Sequence, residues 1–197
     1  MPSILAFWLL ARAVYTPNLL EELRAEVAPA FKDGIHSRPD TEYLKTCPKL
    51  NATFHETLRV HGGAAGFRRV VSDTTVAGYT FKTGSDVIMA YRQLHIDKEI
   101  WGPDAETFDI NRFIDNPKLA TGKTFKPFGG GLALCYGRFL VRQMALCFLA
   151  TLVTRYDMEV VGDCPFPEMD HKVPQVGVII PMMDRIPNIR IRQVTGR

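Results

Sequence analysis

The chain has 197 residues, of which 46% are apolar and 23% charged, and a formal net charge of +3. That balance suits one domain with a hydrophobic core, excludes disordered and collagen-like classes, and offers no basic, aromatic-interleaved patch for nucleic acid. Its four cysteines, Cys47, Cys135, Cys147 and Cys164, are spread without a CxxC pair, which reads as reduced intracellular thiols and excludes a disulfide framework or zinc ribbon. The stretch from Met1 to Arg12 is apolar, too short to span a membrane, interrupted by Arg12, and without the features of a signal peptide. It predicts a buried helix over residues 3 to 14. Pro17 opens a second helix, in which Leu19, Leu20, Leu23 and Val27 recur at helical spacing opposite Glu21, Glu22, Arg24 and Glu26. A polar linker runs to about residue 40, and a third helix is expected from Pro48 through Asn51 to Arg59.

From Phe67 the pattern changes to short β-type runs at Arg69–Val71, Tyr79–Phe81 and Val87–Tyr91, punctuated by Gly78 and Gly84. Residues 92 to 126 read as loop with short helical pieces around Asp97 and Asp104. A helix from about Tyr136 to Tyr156 is apolar on nearly every face, the signature of a buried core helix, and core packing accounts for Cys147 within it. The tail carries β-like runs at Val176–Ile180 and Ile189–Ile191. The fold class expected is α+β, mainly helical.

The stretch Phe128-Gly-Gly-Gly-Leu-Ala-Leu-Cys135-Tyr-Gly137 sets one cysteine between glycines, directly ahead of a helix. Unpaired N–H groups and the partial positive charge of a helix N-terminus favour a thiolate there. Gly129, Gly130 and Gly131 let the backbone turn tightly and approach a flat ligand, Gly137 removes a side chain where that ligand presses, and Phe128 walls the sulfur off from water. The segment resembles the haem-binding loop of the cytochrome P-450 family, with Phe128, Gly131, Cys135 and Gly137 in its four marked positions. The resemblance implies haem as cofactor, with Cys135 as axial thiolate. The family usually carries Arg or His where this chain has Ala133, so one propionate contact is missing or supplied elsewhere.

Two further motifs follow in family order. Glu56-Thr-Leu-Arg59 resembles the family's Glu-x-x-Arg, whose members three apart share a helix face. The segment Pro103–Phe113 resembles the downstream stretch that supplies a third charge, here Arg112. The resemblance makes Glu56, Arg59 and Arg112 scaffold residues of the site, fixing the cysteine loop by bidentate hydrogen bonds. It covers essentially the whole chain.

The resemblance also places Arg69 at the offset of a propionate-binding arginine. It sets Ala64, Ala65, Gly66, Phe67, Val178 and Ile179 along a substrate pocket, with ordinary packing as the alternative for each. The family often has Pro where this chain has Gly62-Gly63. His61 and His95 read as surface or loop histidines. Lys123, Lys126, Arg138 and Arg142 cluster around the loop, either to meet an acidic electron donor or as a solvated basic face.

Residues 2 to 10 resemble the last turns of the family's long I helix, so the oxygen-activating residues of that helix are expected upstream of Met1. The chain therefore reads as a single, incomplete haem-binding domain, the C-terminal part of the cytochrome P-450 fold. The resemblance implies an intracellular location and an endoplasmic-reticulum anchor on a full-length parent. The activity implied is a haem-thiolate monooxygenase that takes electrons from a flavoprotein reductase and inserts one oxygen atom from O2 into a hydrophobic small molecule. Two other readings stand beside it: a haem-thiolate isomerase or dehydratase, and a truncated, inactive product that keeps the haem-binding motif.

Overall fold

A computed structural model describes residues 2–131, 134–173 and 177–194. Ala133 and Val176 lie outside the described residues. Four helices form the body: α1 (Pro2–Tyr15), α2 (Leu19–Val27), α4 (Pro48–His61) and α8 (Arg138–Arg155), each packing on the other three. Each contributes one apolar stripe at helical spacing: Leu5, Trp8 and Leu9 from α1, Leu19, Leu23 and Val27 from α2, Leu50, Phe54 and Leu58 from α4, and Leu146, Leu149 and Val153 from α8. α4 is the axis of the fold and is buried along most of its length. Pro48 starts it, and the Glu26 carboxylate receives the N–H groups of Lys49 and Leu50 at 2.8 Å each, placing an anion on its positive end.

A short helix α3 (Thr41–Thr46) fills the stretch between the expected linker and α4, where no element was expected, although its N-cap is written in the chain: the Asp40 carboxylate accepts from the backbone of Glu42 and Tyr43. After α4 the chain forms β1 (Ala65–Arg69), β2 (Thr74–Val76), β3 (Tyr79–Phe81) and β4 (Asp86–Ala90), with β1 antiparallel to β4 and β2 to β3. The first β run therefore sits earlier than expected. Ala65 pairs with Ala90 and Arg69 with Asp86, which ends the ladder and leaves Val71 87% exposed beyond it. Then come α5 (Tyr91–Ile96), α6 (Lys98–Trp101) and α7 (Asn111–Asp115); Asp104, expected in a helical piece, lies in a turn. β5 (Tyr156–Val160) continues straight from α8 and pairs with β6 (Ile189–Gln193), so Tyr156, expected at the end of the helix, is strand. The fold is α+β and mainly helical, as expected.

Burial corrects two expectations. α8 is not apolar-buried all round: Ala145, Leu149 and Val153 face the core, while Phe139 and Leu140 are 70% and 62% exposed and Met144 stands on the same open side. A straight helix meets α1, α2 and α4 over one arc only. His61 and His95 are both fully buried, because each ring is covered by groups far away in sequence, Trp8 over His61 and Phe125 beside His95. Among the described residues no single helix is long and apolar enough to cross a membrane; α1 and the helical segment Leu19–Ala30 pass such a test only as a pair bent by 110°.

Candidate active site around Cys135

The cysteine loop is shaped by its own backbone. Gly129 and Gly131 sit at φ 83° and 65°, a region that L side chains rarely adopt. The Cys135 N–H donates to the Phe128 carbonyl at 3.0 Å, and the Gly129 N–H to the Lys126 carbonyl at 3.1 Å. Helix α8 begins three residues after the cysteine, and Arg138 ties that junction by donating from its guanidinium to the Cys135 carbonyl at 3.0 Å. A Cβ at Gly137 would lie 3.9 Å from Cys135 Sγ, in ordinary contact.

The exposed thiol opens on a cavity of about 560 Å³, within the ~300–1,000 Å³ range of cofactor and small-molecule sites. One wall is the loop itself: Pro127, Phe128, Gly129 and Cys135. The facing wall is Ala64, Ala65, Gly66, Phe67 and Arg68, and Leu5, Leu58, Tyr91 and Val178 complete an apolar lining. At Gly66 an added Cβ would lie 2.4 Å from the Tyr91 hydroxyl oxygen, so only glycine keeps this wall flat. Of the residues expected here, Phe128, Cys135, Ala64, Ala65, Gly66, Phe67 and Val178 line the cavity. Gly131, Gly137 and Ile179 are not among its lining residues: Ile179 is buried, donating to the His61 carbonyl at 2.8 Å and accepting from the Trp8 indole at 2.6 Å. Arg69 is turned away into a two-point pair with Asp86 at 3.0 Å, and the arginine of this strand that lines the cavity is Arg68.

Behind the loop, Glu56 and Arg59 are fully buried and meet through two bonds of 2.7 Å. The remaining guanidinium protons go to the carbonyls of His95, Ala105 and Thr107. Glu56 also accepts from the Asp109 N–H at 2.9 Å and stands 3.7 Å from the Arg112 guanidinium, which donates to the Trp101 carbonyl at 2.6 Å. α4 and the segment from residue 95 to 112 are thereby laced together by charge-assisted bonds.

Beside this network lies a residue whose place the sequence does not reveal: Arg12, which interrupts the apolar stretch of α1, sets its guanidinium 3.9 Å from the Phe166 ring centre and 4.5 Å from that of Phe108. It donates to His61 Nε2 at 3.1 Å, and desolvation lowers its pKa to about 10 against the pull of Glu56. A charge alone on an apolar helix face was the available signal.

Burial also holds three histidines neutral. His55 is lowered to about 4 by desolvation and then by Arg142. His95 is lowered to about 4 by desolvation and then by Arg59 and Arg92. His61 lies well below its ordinary value by desolvation and then by Arg12 and Arg92. Each folded pKa is below the unfolded value near 6.5, so between those limits the unfolded chain binds more protons. The contribution of these histidines to stability is therefore complete above about pH 6.5 and falls as the pH drops toward 4. Urea midpoints measured at pH 7 and pH 5 should show the loss, and a His55→Phe, His61→Phe, His95→Gln triple variant should flatten it.

A second cavity, of about 730 Å³, lies on the other side of Phe128 and does not contain the thiol. Its rim carries Lys45, Lys126, Arg138 and Arg142, and its described lining includes no acidic residue.

The cytochrome P450 family profile matches residues 3–183. The chain belongs to the cytochrome P450 family. A cytochrome P450 monooxygenase, nodJ, from Hypoxylon pulicicidum is 28% identical over 205 residues, 95% of this chain and 40% of the relative. A probable cytochrome P450, 516A1, from Dictyostelium discoideum is 32% identical over 83% of this chain and 34% of its own length. An indoleacetaldoxime dehydratase from Arabidopsis thaliana is 30% identical over 80% and 32%. The chain thus spans about a third of the length of the curated cytochrome P450 relatives it matches.

Proposed function

We propose that residues 1–197 form one incomplete cytochrome P450 haem domain in which Cys135 is the axial ligand of haem iron. The carrying observation is the single exposed thiol facing an apolar cavity from a loop held by positive-φ glycines. The donor set suits the group: a sulfur for iron, apolar walls for the macrocycle, and Arg68 at the rim for a propionate. Haem, when bound through the Cys135 thiolate, would supply oxygen-activating chemistry, which the electron-rich sulfur would favour. The protein's own part is to hold Cys135, exclude water with Phe128 and the Ala64–Phe67 wall, and orient a hydrophobic substrate against Phe67 and Val178. The activity we infer is monooxygenation of a hydrophobic small molecule. The all-cationic rim of the second cavity supports docking of an acidic electron-donor protein such as a flavoprotein reductase. Haem-thiolate dehydration is the second reading, favoured by the similarity to the Arabidopsis dehydratase.

The test is the absorption spectrum of the purified chain supplied with haem, reduced and exposed to carbon monoxide, beside Cys135→Ala. A strongly red-shifted Soret band in the parent that vanishes in the variant supports thiolate ligation; a band indifferent to the substitution overturns it. Absence of haem uptake by the parent identifies an inactive remnant. A haem titration also separates the two arginines. A charged hydrogen bond contributes about 1.5–3 kcal/mol, so Arg68→Ala should weaken haem binding roughly tenfold or more. Arg69→Ala should leave it nearly unchanged.

A further inference from the structure

Among the buried groups, His95 is placed between the ion pair in α4 and the cysteine loop. Its carbonyl accepts from the Arg59 guanidinium at 2.6 Å, and its ring Nε2 accepts the backbone N–H of Lys126 at 2.8 Å. Lys126 begins the turn that carries the loop: its carbonyl receives the Gly129 N–H, and Phe128 next to it receives the Cys135 N–H. We propose that His95 is a positioning residue, coupling the buried Glu56–Arg59 pair to the loop that presents Cys135. Its role toward haem rests on the haem-thiolate reading; its role in holding the loop does not.

The chemistry requires a neutral acceptor at this point. A protonated ring donates from both nitrogens and cannot take the Lys126 proton. The charged groups facing the ring are Arg59 from α4 and Arg92 from its own helix, and Phe125 lies against it from the loop side, 5.4 Å between ring centres. A carboxylate here would accept the same proton but would compete with Glu56 for Arg59. Imidazole supplies the lone pair without the charge. The end of α4 lies against the ring: a Cβ on Gly62 would stand in ordinary contact, 3.5 Å from His95 Nδ1, while clashing with the Leu58 carbonyl oxygen, so it is the helix end and not the ring that requires the glycine.

The test compares the full chain with His95→Gln, whose amide oxygen reaches about as far as Nε2, with His95→Asn, which is shorter, and with His95→Leu, which has no acceptor. In the haem-free proteins, hydrogen exchange at the Lys126 amide is read against Leu149 in α8. The expected result is exchange at Lys126 at least tenfold faster in the Leu and Asn variants and within threefold of the parent in Gln, with Leu149 unchanged in all. Should His95→Leu exchange globally and so fail to fold, the Gln–Asn comparison decides alone, because those two share their chemistry and differ only in reach. With haem and carbon monoxide, the red-shifted fraction should fall several-fold in the Asn variant and be retained in Gln. Equal behaviour of Gln and Asn, or undisturbed protection at Lys126 in Asn, overturns the proposal. The expected exchange pattern with no red-shifted band in any chain, the parent included, removes the haem reading and leaves the positioning role standing.

Discussion

Replacing Glu56 by alanine is expected to lower the unfolding free energy by about 3–5 kcal/mol, the cost of leaving a buried charge without its partner. Both side chains of the Glu56–Arg59 pair are inaccessible, and Arg59 would keep its bonds to three carbonyls while losing its counter-ion. The Asp109 N–H would be orphaned as well. Urea unfolding measures the effect directly. Removing both charges together, as in Glu56→Leu with Arg59→Met, should restore part of the loss, because the desolvation penalty disappears with the ions. The exposed Glu159–Arg190 pair, 2.7 Å apart, serves as the contrast. If Glu56→Ala shifts the midpoint no more than Glu159→Ala, the pair is not the buried structural element described here.

Trp8→Ala is the second large effect, about 3–5 kcal/mol for deleting a fully buried aromatic. The indole stacks on His61 at 3.9 Å, meets Phe7 edge-on at 5.0 Å, and donates to the Ile179 carbonyl at 2.6 Å. Trp8→Phe keeps most of the packing and loses the bond, so it should cost about 1–3 kcal/mol for the orphaned carbonyl. The difference between the two variants, read from thermal or urea unfolding, separates packing from hydrogen bonding. Because Ile179 follows the cavity residue Val178, both variants should also loosen that wall. Faster hydrogen exchange at Ile179, whose N–H is held by His61, is the local readout.

The parts of this architecture legible in the chain are those governed by near neighbours. The period of Leu19, Leu23 and Val27 and the proline at 48 are local signals, and the helices stand where those signals put them. The Glu-x-x-Arg spacing likewise settles which two side chains can meet, whatever surrounds them. What was not legible depends on partners distant in sequence. The first β run is shifted because its limits are set by the register with Asp86–Ala90, and not by its own β-branched residues. The burial of His61 and His95 is not legible because the rings that cover them, Trp8 and Phe125, lie 53 and 30 positions away. Which of two consecutive arginines lines the cavity depends on the pairing of β1, whose register sets Arg69 beside Asp86 and leaves Arg68 at the cavity. The half-open surface of α8 is hidden for the opposite reason: a helix apolar on nearly every face gives little clue to which arc is covered.

The bond from Trp8 to Ile179 joins groups separated by 171 residues. At a synthesis rate of ~5–20 residues per second, the first partner waits on the order of 10–30 s on the ribosome before the second exists. Throughout that interval the Trp8 indole lacks its carbonyl partner, although α2 and α4 already exist to pack on α1, and contacts of such long range are slow to form even afterwards. The thiol-facing cavity, whose boundary includes both Leu5 and Val178, is thus among the last features of the molecule to close. A folding assistant that shields the Trp8 face of α1 during that interval would raise the yield of cavity-competent protein.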